Sequence, residues 1–476
     1  MTISVLSRYQ LSVIICVLSN KPMTLPHIFV GIDIGTSGCR GCAIDINGQI
    51  FAEYSIELPP PKRRHVEVEQ EPLIWWAALK TILRQLDNRL SHPITAVSID
   101  GTSATVLAVD QAGTPLRPAL MYNDARASEE AEQIHQLAPQ NSGALGVTSS
   151  LAKWLWLRKH TDPNVVFHVL HQADWLAGKL TGRFDISDEN NCLKMGYDPI
   201  ARQWPTWISA FDFDLTHLPQ VHPPGTIIKT VKATLAKSIG LNPETLIVSG
   251  TTDSIAAFIA TGADQVGDAV TSLGSTLALK MVSDKPVFSA KYGVYSHRLW
   301  DKWLAGGASN TGGAVLLKYF TPSELKIMTP QLQPEQPTHL DYYPLVSVGE
   351  RFPIADPKLE PRLKPRPNND RLFFQGLLES IARIEAEAYK RLQNLGAPHP
   401  KTIYTVGGGA KNTAWTQIRQ NIIGVQIQTP QHTQAAYGSA LLARKGFLSC
   451  SIDVNISRDA RPCVSTPYKS CLNVTR

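Results

Sequence analysis

The chain has 476 residues, a formal net charge of +6, 43% hydrophobic residues and 18% charged residues. This length allows two or three domains with hydrophobic cores, and the composition excludes a disordered chain. The positive charge is thinly spread, and its densest cluster, at residues 62–64, is typical of a solvated loop. We therefore expect no nucleic-acid partner.

Residues 1–26 form the least typical segment. They contain an apolar run at residues 11–18 and no acidic residue, which loosely resembles a signal or transit peptide. The run is too short to span a bilayer, and no A-x-A cleavage site follows it. We interpret residues 1–26 as a dispensable extension, with Met23 as an alternative start, and we expect no membrane partner.

The seven cysteines are scattered and odd in number, which favours a reducing compartment over a disulfide framework. We therefore predict a cytoplasmic location, or a plastid if residues 1–26 are a transit peptide. Cys39 and Cys42 have C-x-x-C spacing, but no second pair or histidine lies nearby in the sequence to complete a zinc site. They are predicted to lie on a strand after a tight turn.

Residues 28–34 are typical of a buried strand, and a turn rich in Gly, Thr and Ser follows at once. Asp33 lies inside this apolar strand, where an ionised carboxylate is costly unless a cation or a donor receives it. The turn allows the backbone to approach a ligand closely, and Arg40 adds a fixed cation. The pattern suits a metal-bound polyphosphate, and the alternative is a simple hairpin with a chance aspartate.

The next elements follow an α/β order. Asn-Gly at positions 47–48 predicts a hairpin, residues 73–90 have helical apolar spacing, and residues 94–99 are typical of a buried strand. Asp100 and Ser103 repeat the carboxylate and hydroxyl pattern at the end of that strand. The repetition indicates a second group of polar side chains at a strand end.

The second half of the chain repeats the strand and turn pattern. Residues 246–250 predict a strand that leads to Asp253, where a helix starts. A further strand at residues 269–273 ends in a turn that mirrors the first one and consists of Gly274, Ser275 and Thr276. Two such halves predict duplicated α/β domains that close on one nucleotide.

Glycine-rich segments and a long helix complete the second half. Residues 306–313 are rich in glycine, residues 372–395 predict a long amphipathic helix, and a strand at residues 403–406 runs into three consecutive glycines. After Gly446 the apolar periodicity fades. Residues 447–476 are therefore predicted to be a loose tail.

Four segments together resemble the FGGY carbohydrate kinases, which belong to the actin, hexokinase and Hsp70 fold superfamily. They occur in the family's order, at residues 31–37, 250–254, 272–276 and 407–412. The resemblance covers about residues 27–447. It implies an α/β fold of two actin-like (ribonuclease H-like) domains with an ATP cleft between them. The implied bounds are 27–253 for a sugar-binding domain, 254–446 for a nucleotide-binding domain and 447–476 for a tail.

The resemblance also implies roles for two aspartates. Asp253 matches the family's catalytic aspartate, a general base that contacts the sugar and takes the proton of its hydroxyl as it attacks the γ-phosphate. Asp33 would hold Mg²⁺ through water and lie within reach of the accepting hydroxyl of the sugar. From the residues alone, Asp253 can instead be a helix N-cap.

Two turns would face the phosphates of ATP from the two domains. The residues are Thr36, Ser37 and Arg40 on one side, and Gly274, Ser275 and Thr276 on the other. The adenosine side would be formed by Gly407, Gly408, Gly409 and Asn412. Purely structural turns and close helix–strand packing are the alternatives for these segments.

Ser103 and Asp100 would lie on the sugar side, at a strand end that faces the predicted cleft, and residues 123–126 supply further polar groups. The family often carries Trp, Asp and Arg residues in this region, and positions 122–124 depart from that pattern. Arg126 can instead be a surface residue of a helix.

Within the family, segments at 99–103, 172–176, 191–197 and 292–298 resemble the D-ribulose kinases of cyanobacteria and plants, which are also labelled xylulose kinase-like. The expected reaction is ATP-dependent phosphorylation of a ketopentose, D-ribulose to D-ribulose 5-phosphate, with ATP and Mg²⁺. The alternatives are a kinase for D-xylulose or another polyol, and a non-catalytic actin-like ATP-binding protein. The oligomeric state stays open.

Overall fold

The computed structural model describes residues 26–162, 165–166, 168–211 and 215–459. Residues 1–25 of the predicted extension and residues 460–476 of the predicted tail lie outside the described residues. Within the described ranges, no helix combines the length and the apolar character that a membrane crossing requires.

The strands, in chain order, are β1 Ile28–Ile34, β2 Gly38–Ile44, β3 Ile50–Glu57, β4 Lys62–Arg64, β5 Glu67–Gln70, β6 Ile94–Gly101, β7 Val106–Val109, β8 Ala119–Leu120, β9 His168–His171, β10 Ile186–Asp188, β11 Gln220–His222, β12 Ile227–Thr230, β13 Leu246–Thr252, β14 Asp268–Leu273, β15 Leu277–Ser283, β16 Tyr295–Leu299, β17 Lys302–Ala308, β18 Thr402–Val406 and β19 Gln426–Gln428. The helices are α1 Pro72–Asp87, α2 Ser128–Leu137, α3 Ser150–Lys159, α4 Gln172–Thr181, α5 Glu189–Cys192, α6 Ala233–Ala236, α7 Asp253–Ala260, α8 Gly313–Tyr319, α9 Pro322–Met328, α10 Asp370–Asn394, α11 Thr413–Ile423 and α12 Ala435–Asp459.

The first large sheet has the strand order β12-β13-β6-β1-β2-β3. In it, β1, β6 and β13 are parallel, and β2 and β3 are antiparallel neighbours. The predicted hairpin at positions 47–48 is confirmed, because Gly48 adopts a φ of 87° and its N–H donates to the Asp45 carbonyl. Every residue of β1 is buried, as expected for a central strand that is covered on both faces of the sheet.

The second large sheet has the strand order β16-β17-β15-β14-β18-β19. In this sheet β14, β18 and β19 are parallel, whereas β15 is antiparallel to both β14 and β17. Each large sheet contains five strands that can be numbered 1 to 5 in chain order, namely β1, β2, β3, β6 and β13 in the first sheet and β14, β15, β17, β18 and β19 in the second. In both sheets these five strands lie side by side in the order 3-2-1-4-5. The predicted α/β fold with a duplicated architecture is therefore confirmed.

A smaller sheet, β4-β5-β8-β7-β9, lies beside the first large sheet and is built from segments that connect its strands. Helices α2 and α3 pack on it around a separate hydrophobic core. Trp154 of α3 is fully buried in this core. The connecting segments thus form a subdomain that extends the first half of the protein.

The last helix, α12, packs on the first large sheet and on α7, although it follows the strands of the second sheet. At Gly31 of β1, a Cβ atom would lie 2.0 Å from the carbonyl oxygen of Ala436.

Helix α12 continues to Asp459, so the loose tail predicted from residue 447 is wrong for its first part. Phe447 packs with Phe29 at 5.5 Å between ring centroids. A helix that is already nucleated gains one backbone hydrogen bond per added residue and needs no further apolar periodicity.

Gly438→Ala should destabilise the protein, because α12 passes very close to α7. A Cβ atom at Gly438 would lie 1.8 Å from the carbonyl oxygen of Ala256, and a helix backbone cannot give way easily. We expect the free energy of unfolding in urea to fall by about 1–3 kcal/mol. Gly146→Ala is the control, since nothing lies within 4 Å of its Cβ position. Equal stability of the two variants would contradict this prediction.

Candidate active site

Three parallel strands of the first sheet each lead to an aspartate. Asp33 and Asp100 are register partners near the ends of β1 and β6, and Asp253 follows β13 as the first residue of α7. The carboxyl ends of parallel strands meet at one edge of a sheet, which is where ligands bind in open α/β folds. The three carboxyl groups lie close enough to influence one another's pKa.

Asp100 is fully buried at this edge. Ser439 of α12 donates a 2.5 Å hydrogen bond to its Oδ2, and its Oδ1 has no donor among the described residues. Burial and then the negative charge of Asp33 raise the pKa of Asp100 well above its ordinary value. This shift favours the protonated form of Asp100, in which it can donate a hydrogen bond to Asp33. The expectation that Asp100 faces the cleft stays a prediction, because its Oδ1 has no donor among the described residues.

Asp33 is paired with Arg40 across the hairpin of β1 and β2. The two residues are register partners, and Arg40 donates to Asp33 Oδ2 at 3.2 Å. Burial raises the pKa of Asp33, and the Arg40 guanidinium opposes this rise. Between the two strands, the Gly35 N–H donates to the Gly38 carbonyl and closes the predicted turn. Arg40 keeps 46% of its side chain exposed, so it remains accessible to an anion.

The turn between β1 and β2 carries Thr36 and Ser37 at its tip. Ser37 is exposed and Thr36 is half-buried. The Ser37 carbonyl accepts a 2.9 Å hydrogen bond from Leu58, which fixes the turn from outside. Both hydroxyls therefore belong to an ordered turn next to Asp33, as the sequence predicted.

Asp253 starts α7 but does not cap it. The N-cap residue is Thr252, and Asp253 Oδ1 accepts a 2.6 Å hydrogen bond from the adjacent Ser254 N–H. Burial raises the pKa of Asp253, the hydrogen bond from Ser254 opposes the rise, and the charge of Asp33 adds to it. The positive charges of Lys280 and Lys194 lower the same pKa. The carboxylate thus lies among charged groups from both halves of the chain.

Lys280 and Lys194 are site residues that the sequence did not predict. Lys280 lies on β15, and its Nζ donates to the Ser254 carbonyl at 2.9 Å. Burial lowers the pKa of Lys280 to about 8. Burial and the charges of both lysines lower the pKa of His297 well below its usual value, which favours the neutral imidazole. The sequence signal that could have identified Lys280 is that it is the single charged residue in the mostly apolar strand β15.

The second turn, Gly274–Thr276, meets two other glycine-rich segments. The N–H groups of Gly313 and Ala314 donate to the carbonyls of Gly274 and Ser275, at 2.9 and 3.1 Å. A Cβ atom at Gly312 would lie 2.7 Å from the Ser275 carbonyl oxygen. Ser275 and Thr276 themselves are exposed. The predicted phosphate turn is therefore held by its neighbours, with its two hydroxyl residues open to solvent.

The predicted adenosine segment also adjoins this turn. Gly407 has a φ of 87°, and a Cβ atom there would lie 2.7 Å from the Leu273 carbonyl oxygen. Gly409 is equally close to the Leu273 side chain, whereas a Cβ atom at Gly408 would meet nothing within 4 Å. Close packing therefore explains two of the three glycines, and Gly408 faces open space. Asn412 caps α11, because its Oδ1 accepts a 2.9 Å hydrogen bond from the Trp415 N–H.

On the predicted sugar side, Asp124 and Arg126 are bound to other protein groups. Asp124 Oδ2 accepts a 2.6 Å hydrogen bond from the Val68 N–H, and Arg126 donates to both Asp124 and Glu69. Only 6% of the Arg126 side chain is exposed, so the alternative of a surface residue is wrong. In the same segment, the buried Asn123 Oδ1 has no partner among the described residues. Asn123 thus has an acceptor oxygen that the described residues leave unused.

Ser103 lies in the turn that follows β6. The next residue, Ala104, adopts a φ of 66°, which L-residues rarely do. The Nζ of the fully buried Lys153 bonds to the Ala104 carbonyl and, at 2.9 Å, to the Met121 carbonyl. Burial lowers the pKa of Lys153 to about 7. Lys153 therefore ties the Ser103 turn to the segment that carries Asn123.

Two adjoining cavities lie between the halves of the chain. The larger, ≈ 460 Å³, is bounded by α7 and by the strands of the second sheet. The smaller, ≈ 220 Å³, is lined by Lys194 and by loops around residues 140–146 and 289–295. Both are lined by Gly293 and Tyr295, so they are neighbours at this point. Together they form a cleft next to Asp253.

Comparisons with known proteins agree with this architecture. The N-terminal domain of the FGGY family of carbohydrate kinases matches residues 28–260, and its C-terminal domain matches residues 269–446. The chain belongs to the FGGY family of carbohydrate kinases. The expected family is thereby confirmed, and the protein is a carbohydrate kinase, a phosphotransferase.

Several FGGY relatives are named xylulose kinase. The protein from Escherichia coli (strain K12) is 26% identical over 440 residues, which cover 88% of this chain and 90% of that protein. The protein from Streptomyces rubiginosus is 26% identical over 459 residues, covering 89% and 88%.

Solved structures share the fold of this FGGY kinase. A xylulose kinase from Rhodospirillum rubrum has a TM-score of 0.77 and 20% identity, and the match covers 88% of this chain and 90% of that one. A Plasmodium falciparum glycerol kinase with ADP has a TM-score of 0.78 and 20% identity, covering 90% of each chain. The likeness confirms the predicted actin-like two-domain fold.

Proposed function

We propose that this FGGY kinase transfers the γ-phosphoryl group of ATP to the terminal hydroxyl of a pentulose, with D-ribulose as the first candidate. The observation that carries the proposal is the edge of the first sheet, where Asp33 and Asp253 interact electrostatically and the adjacent Ser254 lines a cavity bounded by the second sheet. The turns Gly35–Ser37 and Gly274–Thr276 follow the first strands of the two sheets. This arrangement supplies a base, a carboxylate for a metal and two phosphate-facing turns.

In this proposal Asp253 takes the proton of the attacking hydroxyl. Its pKa is raised by burial, which makes it a stronger base than an ordinary carboxylate. Asp33 would hold Mg²⁺, which neutralises charge on the triphosphate when bound. Among the described residues, no three His, Cys, Asp or Glu side chains are grouped as a metal site. A single carboxylate fits Mg²⁺, because this ion is commonly held by one or two carboxylates, substrate phosphates and water.

Thr36, Ser37 and Arg40 would contact the phosphates from the first half, and Ser275 and Thr276 would do so from the second. The adenosine side would be formed by the segment Gly407–Asn412, with Gly408 as its most open position. Charged and hydroxyl groups of these types are the usual partners of phosphate oxygens. Supporting this, the turns of the second half are in direct backbone contact with one another.

On the sugar side, Ser103 and Asn123 would bind hydroxyl groups of the pentulose. Asn123 Oδ1 is buried without a partner among the described residues, and such an atom is costly unless a ligand or water pairs with it. D-Xylulose is the second candidate, because the relatives with about a quarter of their residues identical are named xylulose kinase.

The test is an ADP-release assay, coupled to a second enzyme, over ketopentoses and polyols at saturating ATP. We expect kcat/KM to be highest for D-ribulose, then D-xylulose, and lower for glycerol. If a polyol gave the highest kcat/KM, the pentulose assignment would be overturned. If D-xylulose gave the highest kcat/KM, it would replace D-ribulose as the first candidate. ATP binding without transfer to any of these compounds would favour the non-catalytic alternative.

A further inference from the structure

The larger cavity contains a charged side chain that has no assigned role. The cavity lies between α7 and the inner face of the second sheet, and its polar lining includes Ser254, Ser272, Lys280 and His297. Lys280 is carried by β15, the strand that starts directly after the turn Gly274–Thr276. This strand therefore places an ammonium group against the first turn of the helix of Asp253, a few residues after the phosphate-facing turn.

The contacts of Lys280 leave part of its hydrogen-bonding capacity free. An ammonium group has three N–H donors, and one of them is used by the Ser254 carbonyl at 2.9 Å. No other hydrogen bond of this group to the described residues is present, and the side chain borders open volume. Two donors are therefore available to a ligand in the cavity.

The charges around Lys280 indicate the sign of that ligand. Asp253 interacts with Lys280 electrostatically, and Lys194 adds a second positive charge from the first half of the chain. The neighbouring His297, whose pKa is lowered by burial and by the two lysine charges, contributes no negative charge. Asp253 supplies one negative charge against two lysine charges, and an uncompensated cation in a partly dry site is unfavourable. Phosphoryl transfer to a hydroxyl activated by Asp253 places the anionic γ-phosphoryl group next to this carboxylate.

We propose that Lys280 binds the γ-phosphoryl group of ATP and stabilises the charge on it during transfer. This inference deepens the proposed function and depends on it. Lys280 acts as a fixed cation, whereas the bond from the γ-phosphorus to the bridging oxygen of ADP breaks and the bond to the sugar oxygen forms. The sugar proton goes to Asp253, and no proton passes through Lys280.

The test compares Lys280→Met and Lys280→Arg with wild type. Methionine keeps most of the volume and removes the charge. Binding of ADP and of AMP-PNP, an ATP analogue that retains the γ-phosphoryl group, is measured by calorimetry. We expect Lys280→Met to weaken AMP-PNP binding by about 10- to 100-fold and to leave ADP binding unchanged, since the lost hydrogen bonds are charge-assisted. We expect kcat to fall by about 10²–10³-fold, and Lys280→Arg to restore part of both losses.

Lys285→Met is the matched control, because Lys285 is an exposed lysine just after the same strand. Equal losses for ADP and AMP-PNP, or no loss for either, would overturn the role of Lys280. So would a fall in sugar-dependent turnover with unchanged AMP-PNP binding, which would mean that Lys280 acts through Asp253. If Lys280→Met selectively weakens AMP-PNP binding but wild type phosphorylates no pentulose, the sugar assignment fails and the role of Lys280 is supported.

Discussion

Asp253→Asn should fold normally and lose nearly all sugar-dependent ADP release. Asparagine has the same shape, and its Oδ1 can still accept the hydrogen bond from Ser254 that the structure shows at 2.6 Å. It cannot take a proton from the attacking hydroxyl, and loss of a general base lowers kcat by about 10²–10⁴-fold. The measurement is kcat for the best sugar in the ADP-release assay, together with the midpoint of thermal unfolding.

The pH dependence gives a second readout for the same residue. The base must be deprotonated, so wild-type activity should fall as the pH drops through the pKa of Asp253. Because burial raises this pKa, the fall should begin at a higher pH than for an ordinary aspartate. The residual activity of Asp253→Asn should lack this acidic limb. The exposed Asp284→Asn is the control, and full activity in Asp253→Asn would refute its role as the base.

Arg419→Met should destabilise the protein more than Gly438→Ala does. Arg419 and Glu385 form a fully buried pair, with Nε–Oε2 at 2.6 Å and Nη2–Oε1 at 2.7 Å. Removing one partner leaves a buried charge without compensation, which costs about 3–5 kcal/mol. The measurement is the free energy of unfolding in urea. The exposed pair Arg362–Asp341 supplies the control, since Arg362→Met should cost at most about 1 kcal/mol.

The double variant Arg419→Met/Glu385→Leu tests whether the unpaired buried charge causes the loss of stability in Arg419→Met. It leaves no buried charge, and an apolar pair of similar volume is often as stable as a buried ion pair. We therefore expect the double variant to be more stable than Arg419→Met alone. A loss equal to the sum of the two single variants would contradict this explanation. Thr271 of β14 also donates to Glu385, so the pair supports the strand that leads to the second turn.

Local patterns predicted much of the fold. The hairpin at positions 47–48 and the helix that contains Asp370–Asn394 depend on residues close together in sequence, so turn chemistry and periodicity were sufficient. Likewise, Asp33 and Asp253 were recognised because each interrupts or ends an apolar strand. Their meeting at one sheet edge follows from parallel pairing with β6, which no local pattern specifies.

Partner choice over long distances in the chain could not be predicted. Arg126 was assigned either to the sugar or to a helix surface, but it binds Glu69 on β5 of the small sheet. Lys280 approaches the helix of Asp253 only because the second sheet packs against α7. In both cases the partner of a charged side chain is set by tertiary packing. The same limit applies to Asp100, whose burial depends on Ser439 and the last helix.

The return of α12 to the first sheet affects the order of events during synthesis. The Tyr437 hydroxyl donates to the Gly48 carbonyl, and these two residues are 389 positions apart in the chain. At a translation rate of 5–20 residues per second, the ribosome needs roughly 20–80 s to add that segment. Until then the face of β1 at Gly31 has no covering helix. The first domain to leave the ribosome is therefore among the last to be completed, and it depends on chaperones or on its own partial structure during that interval.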